Sequence, residues 1–256
     1  MKPVILSFGG GVNSAALLVG LHHRGEKPDA ILFADTGGEK PHTYEFVDVV
    51  DRWLESKGWD KIVRVRASQN TYRDLEDNCI KQKMLPSLAY GFKGCSHKYK
   101  KQPQEVWANN WQVAKDAWAS GEKVTKLLGI DVTEQRRASI PEDAKYVYRY
   151  PLIEWGWDRK DCVQALTEAS LPNPGKSACF FCPASKKHEV LQLAKMYPDL
   201  AARAVAMERN AELDTVKGLG RSYAWGDLLR ADAAQLRLFP EVTEMPCMCV
   251  DEGDDE

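Results

Sequence analysis

The stretch Ser7–Leu18, SFGGGVNSAALL, follows the short apolar run Val4-Ile5-Leu6. An apolar run, three consecutive glycines and a second apolar stretch at helical spacing read as strand, tight loop and helix. Such a loop holds phosphate in several unrelated families. Helix N–H groups and the helix dipole present positive charge there, and glycines let an anion reach the backbone. Three motifs compete for it. A Walker loop requires Gly-Lys-[Ser/Thr] at its end. No Lys follows Gly11, and the later Gly175-Lys176-Ser177 has Ser170 where the first glycine belongs, with no strand before it. A dinucleotide fingerprint, G-x-G-x-x-G with an acidic residue about 20 positions on, is met by Gly9, Gly11 and Asp35 but fails at Ser14. A pyrophosphate-gripping loop uses close backbone approach at the glycines and hydroxyls at both ends. It is met by Gly9, Gly10, Gly11, Asn13, Ser7 and Ser14.

Working outward, the same strand-then-helix pattern recurs. Strands are expected at Val4–Phe8, Ala30–Gly37, Lys61–Ala67, Lys123–Ile130 and Tyr146–Ile153. A helix is expected at Ser14–His22, capped by Asn13 or Ser14, and a second is opened by Pro41. Residues 70–118 read as helical, with Trp107, Trp111 and Trp118 on a packed face. Residues 172–183 read as a loop, followed by helices at Lys187–Ala206 and Tyr223–Leu236 and an acidic tail. The alternation predicts an α/β fold: a parallel twisted sheet with helices on both faces, plus a C-terminal helical, cysteine-bearing extension. The expected division is an α/β nucleotide-binding domain over 1–170, then the Cys-x-x-Cys loop, helical extension and tail over 171–256. Ligands of such sheets bind beyond the carboxyl ends of the strands. The glycine loop, Asp35-Thr36 and Gly129-Ile130 should therefore meet in one crevice.

Composition narrows the class. The 256 residues are 44% hydrophobic and 28% charged with a net charge of −2, which gives no global drive toward polyanions or membranes. No run is long enough to span a bilayer, and no signal segment is evident, so a cytoplasmic protein is expected. Seven cysteines in a reducing compartment argue against a disulfide framework. Cys179-Phe-Phe-Cys182-Pro has the spacing of two thiolates turned toward one metal, zinc or iron–sulfur, with free thiols as the alternative. Cys162 falls in an amphipathic helical pattern and reads as core.

Several blocks in order resemble the PP-loop ATP pyrophosphatases, in the branch related to phosphoadenylyl-sulfate (PAPS) reductases, an adenine nucleotide alpha hydrolase-like fold. They cover about residues 4–185. The branch reads S-F-S-G-G-K-D-S where this chain has Gly9, Val12 and Asn13 in place of the Ser, Lys and Asp. FADTGGEKPHTYEFV, CSHKYKKQP, LLGIDVTEQRRAS, YPLIEWGWDRKDCVQAL and CFFCP are similar to its later blocks. The resemblance implies nucleotide contacts from Asp35, Thr36 and Gly129, and a phosphate-side lysine at Lys100. It also implies a third metal ligand at Cys95 beside Cys179 and Cys182, with Cys79, Cys247 or Cys249 as the fourth. A [4Fe-4S] cluster or zinc would occupy that set.

The expected chemistry is attack of a substrate oxygen on the α-phosphate of ATP. Pyrophosphate leaves, Mg²⁺ offsets charge, Lys100, Arg136 and Arg137 stabilise the transition state, and a sulfur transfer follows. A nucleic acid or a sulfur-carrier protein is the acceptor left open, together with a homodimer. Two alternatives stand: reduction of adenylyl sulfate or its 3′-phosphate, and a Rossmann-type binding module without turnover. Each site residue also has a bland reading. The loop can be a tight turn, Asp35 a helix cap, Arg136 and Arg137 a solvated pair, and Lys98, Lys100 and Lys101 a solvated face.

Overall fold

The computed structural model describes residues 2–67 and 71–234. Cys247, Cys249 and the expected acidic tail lie outside the described residues. Five strands, β1 (Val4–Phe8), β2 (Ala30–Ala34), β3 (Val63–Val65), β4 (Val124–Leu128) and β5 (Tyr146–Arg149), form one sheet in the order β3-β2-β1-β4-β5. Every pairing is parallel. This is the expected α/β sheet. The chain winds from β1 through β2 to β3, then returns past β1 to β4 and β5. The winding direction therefore reverses between β1 and β4, and their carboxyl ends open a crevice. The strands read as nearly continuous apolar runs because both faces are covered; all five residues of β2 are buried.

One face packs Leu6, Phe8, Ile31, Phe33 and Leu127 against helix α1 (Val12–His23), helix α2 (Pro41–Ser56) and the helix Arg159–Glu168. Cys162 is fully buried there, as expected of a core residue. The other face packs Ile5, Leu32, Val124 and Tyr146 under the helices Gln102–Asn110 and Gln112–Ala119, with Trp107, Trp111 and Trp118 against the same core. A separate core joins residues 75–99 to the C-terminal helices: Leu75, Leu85 and Tyr99 pack with Phe180, Phe181, Leu193, Met207 and Trp225. No described helix is long and apolar enough to cross a membrane.

Several element boundaries differ from expectation, each for a local reason. The strand expected over Tyr146–Ile153 stops at Arg149, because Pro151 has no N–H for the ladder and instead opens the short helix Pro151–Glu154. The strand expected over Ala30–Gly37 stops at Ala34, where the Asp35 carboxylate accepts the Gly37 N–H and turns the chain. Helix 187–206 is two helices, Lys187–Met196 and Pro198–Asn210, broken where Pro198 starts the second. The segment read as helical over 70–118 is interrupted after helix α3 (Leu75–Lys81). Lys83 is left-handed there (φ 47°), and Pro86 precedes a 3-10 turn at Ser87–Tyr90. Helical backbone resumes at Gly94, passes through a π-turn at His97–Lys101 and runs on to Asn110.

Candidate functional site

The glycine loop leaves β1 and enters α1 at the crevice. Helix α1 starts at Val12 with Gly11 as its N-cap and no side-chain cap. Asn13 and Ser14 were expected as caps; both lie inside the first turn instead. Gly10 is left-handed (φ 70°), and a Cβ there would stand 2.8 Å from Thr43 Cγ2 and 3.3 Å from Phe33. The loop can follow this path only with glycine.

Asn13 is held at both ends of its amide. Its Nδ2 donates to Asp131 Oδ2 at 2.8 Å, and its Oδ1 accepts from Arg159 Nη1 at 2.8 Å. Asp131 in turn caps the 3-10 turn Val132–Arg137, accepting from the Thr133 and Glu134 N–H groups and the Thr133 hydroxyl. Burial raises the Asp131 pKa, but these hydrogen bonds overcome it and hold the group below the ordinary carboxylate value. Asn13 thus couples the glycine loop to the turn that carries Arg136 and Arg137.

An aspartate at position 13 would set two carboxylates at that 2.8 Å contact. Asn13→Asp should therefore destabilise the protein by about 1–2 kcal/mol at pH 8, with Arg159 offsetting part of the repulsion. A carboxylate pair binds a proton more tightly folded than unfolded. The deficit relative to wild type should shrink as pH falls toward 5. Chemical denaturation at the two pH values measures this.

The crevice is a cleft of about 900 Å³. Of the nucleotide residues expected from sequence, Ser7, Gly9, Gly11, Asn13, Ser14 and Gly129 line it together, and so do Lys100, Arg136 and Arg137. Gly10, Asp35 and Thr36 are not in its wall. Asp35 is committed elsewhere: its Oδ2 accepts from Arg66 Nε at 2.8 Å and its Oδ1 from Tyr44 Oη at 2.7 Å. Ser14 Oγ donates to the Gly11 carbonyl at 2.9 Å and Ser7 Oγ to Gln104 Oε1 at 2.7 Å.

The electrostatics are one-sided. Lys93, Lys100 and Lys101 come from the segment before the helix Gln102–Asn110, Lys126 from β4, and Arg136 and Arg137 from the 3-10 turn. Arg159 comes from the last helix on the α1 face, and Lys176 from the loop at 172–178. Among the described residues, Glu134 is the one carboxylate in the wall, and it pairs with Arg137. A chain of net charge −2 thus sets eight described cations around one opening, of which Lys100, Lys101, Arg137 and Lys176 also pair with carboxylates, an excess of positive charge that suits a polyanion.

Lys100 links this cleft to the cysteines. Its ammonium donates to Glu39 Oε1 at 2.9 Å, and the Glu39 side chain is fully buried with Oε2 unpartnered among the described residues. Burial lowers the Lys100 pKa, but the charges of Glu39 and Cys179 outweigh it and hold it above the ordinary lysine value. Cys179 Sγ is 3.1 Å from Thr36 Oγ1, and burial pushes its thiol strongly up. Burial likewise raises Cys182, and it pushes Cys79 up to about 12. Cys79 and Cys179 lie in the second core with Cys95 and Cys182 packed against it. Among the described residues, however, no three His, Cys, Asp or Glu side chains form a group that could hold a metal.

Sequence reasoning missed Lys93, Gln104, Lys126, Arg159, Lys176 and Ser177. The Gly175-Lys176-Ser177 triplet, rejected as a Walker loop, does reach the glycine loop: a Cβ on Gly11 would stand 2.9 Å from Ser177 Oγ. No family model matches the chain, and no curated protein is similar to it. Among solved structures, the U34-tRNA thiolase NcsA from Methanococcus maripaludis, determined with its [4Fe-4S] cluster, is similar at a TM-score of 0.41 and 14% identity. The match covers 81% of this chain and 72% of that one.

Proposed function

We propose that the protein is an ATP-dependent enzyme of the PP-loop type that adenylylates an acceptor oxygen and releases pyrophosphate. The observation that carries this reading is the joint wall of the cleft: a helix N-terminus with no side-chain cap behind three glycines, faced among the described residues by eight cationic side chains and one carboxylate. Anionic oxygens gain both backbone N–H donors and positive charge there. The β- and γ-phosphates sit on Gly9–Ser14, and the acceptor oxygen attacks the α-phosphorus. As the new P–O bond forms, the bond to the bridging oxygen breaks and pyrophosphate leaves. Lys100, Arg136 and Arg137 neutralise the charge that develops. Mg²⁺, when bound, would offset charge on the phosphates, and Glu134 is the one lining carboxylate among the described residues that could help hold it.

A sulfur nucleophile then attacks the activated carbon and AMP departs with the former acceptor oxygen, the chemistry of a sulfur transferase acting on a nucleic acid or a carrier protein. Lys100 stands between the cleft and the Cys179–Cys182 turn, which supports thiol chemistry close to the activated substrate. Release of sulfite from adenylyl sulfate without ATP cleavage would favour the reductase alternative.

Ser14→Ala removes the hydroxyl in the first turn while keeping the backbone. Pyrophosphate–ATP exchange should fall about tenfold or more, with the melting temperature nearly unchanged. Undiminished exchange in this variant would count against the loop as the pyrophosphate site.

A further inference from the structure

The cleft is lined from both faces of the sheet, and Lys126 in its wall is a charge that the glycine loop does not explain. Successive β4 side chains alternate between faces. Leu127 packs on the α1 side, whereas Val124 belongs to the opposite core, beneath the helix Gln102–Asn110. Lys126 shares the Val124 face. It is aligned with Ile5 of β1 and Tyr148 of β5, lines the cleft and is only 4% exposed.

Its Nζ lies 3.8 Å from the centre of the Tyr146 ring. Among the described residues it enters no ion pair, whereas Lys101 pairs with Glu105 at 3.5 Å and Lys123, at the surface, with Glu142 at 3.0 Å. The charged and titratable groups around it are Lys101 and Glu105 on the helical side, Asp143 before β5, and Tyr146 and Tyr148 on β5. Burial dominates and pushes its pKa down to about 8. The buried Tyr146 hydroxyl beside it has no partner among the described residues. A buried lysine without a counter-ion is costly, and a leucine or methionine would fill this strand position without that cost. The charge is accounted for if a ligand supplies the counter-ion.

We propose that Lys126, with Gln104 and Tyr148, forms a second oxyanion subsite that takes a phosphate or carboxylate group of the acceptor substrate on the sheet face opposite α1. Gly129, which borders the phosphate loop, is three residues on, so the two anion positions are ~10 Å apart along the strand. The acceptor is then itself anionic. It approaches the α-phosphate from the side of the helix Gln102–Asn110, while pyrophosphate departs on the α1 side. This deepens the adenylyl-transfer reading, but the subsite has its own readout.

Lysines of the full chain are ¹³C-dimethylated and followed by NMR, the Lys126 signal being assigned by its loss in Lys126→Met. Inorganic phosphate should move the Lys126 titration upward by about one pH unit, and Lys126→Met should bind phosphate about tenfold more weakly by calorimetry with pyrophosphate present. Lys126→Met should melt no lower than wild type, because it removes a buried charge; that separates lost binding from lost folding. A Lys126 titration unmoved by saturating phosphate, or equal phosphate affinity in Lys126→Met, overturns the subsite. If phosphate moves the signal while pyrophosphate binds neither wild type nor Ser14→Ala, the subsite stands and the loop reading fails. If ATP alone moves the signal as far as phosphate does, the oxyanion belongs to the nucleotide, and the assignment to the acceptor is overturned.

Discussion

Lys100→Met should lower pyrophosphate release about 10²–10³-fold and at the same time cost about 3–5 kcal/mol of stability. The two losses have different origins. The first is removal of a cation from the wall of the cleft proposed to hold the phosphates. The second is a carboxylate left without its counter-ion: Glu39 is fully buried, and its Oε1 loses the 2.9 Å bond from Lys100, keeping only the 3.4 Å contact with Thr36 Oγ1. A second substitution separates them. In Lys100→Met/Glu39→Gln the stranded charge is gone, so most of the stability should return while turnover stays low. Chemical denaturation and a pyrophosphate assay on the two variants give the answer. Recovery of turnover together with stability would mean that Lys100 acts only as a structural partner of Glu39.

Gly129→Ala should weaken pyrophosphate and ATP binding about 10²-fold for a change of one methyl group. A Cβ there would stand 2.9 Å from Ser14 N and 3.0 Å from the carbonyl carbon and oxygen of Asn13. These are backbone atoms of the first turn of α1, and they cannot rotate away as a side-chain end can. The end of β4 must therefore separate from the loop or push the first-turn N–H groups off their positions. The accompanying loss of stability should be about 1–3 kcal/mol, the usual range for a methyl forced into a packed site. Calorimetric titration with pyrophosphate, beside a melting curve, distinguishes a displaced loop from a disordered protein. Affinity within twofold of wild type would show that the loop tolerates the shift.

Much of the fold was legible. The apolar runs at Val4–Phe8, Ala30–Ala34 and Val124–Leu128 are strands because a parallel sheet covered on both faces buries most positions, and their ends are marked by Gly9, Asp35 and Gly129. Boundaries moved where proline chemistry overrode the apolar pattern, at Pro151 and Pro198. The site was legible where it is local. The glycine loop, Gly129 and the Arg136–Arg137 turn each lie just beyond a strand end, and topology brings strand ends together. It was not legible where a partner lies far along the chain. Asp35 ends β2 as a nucleotide-binding acid would, yet Arg66 and Tyr44 hold its carboxylate. Lys126 and Lys123 are three residues apart in one basic-apolar segment, and only the packing of β5 and the helix Gln102–Asn110 buries one and leaves the other at the surface.

The amino-acid sequence by itself determined the parallel α/β sheet and the place of its crevice, because hydrophobic period and glycine position are local properties of the chain. The tertiary structure decided what fills that crevice's wall. It brought Lys93, Lys126, Arg159 and Lys176 around one opening, braced Asn13 between Asp131 and Arg159, and packed Cys79, Cys95, Cys179 and Cys182 into one core. Charge and coordination depend on distances between residues remote in sequence, and those distances exist only once the sheet has closed and its helices have packed.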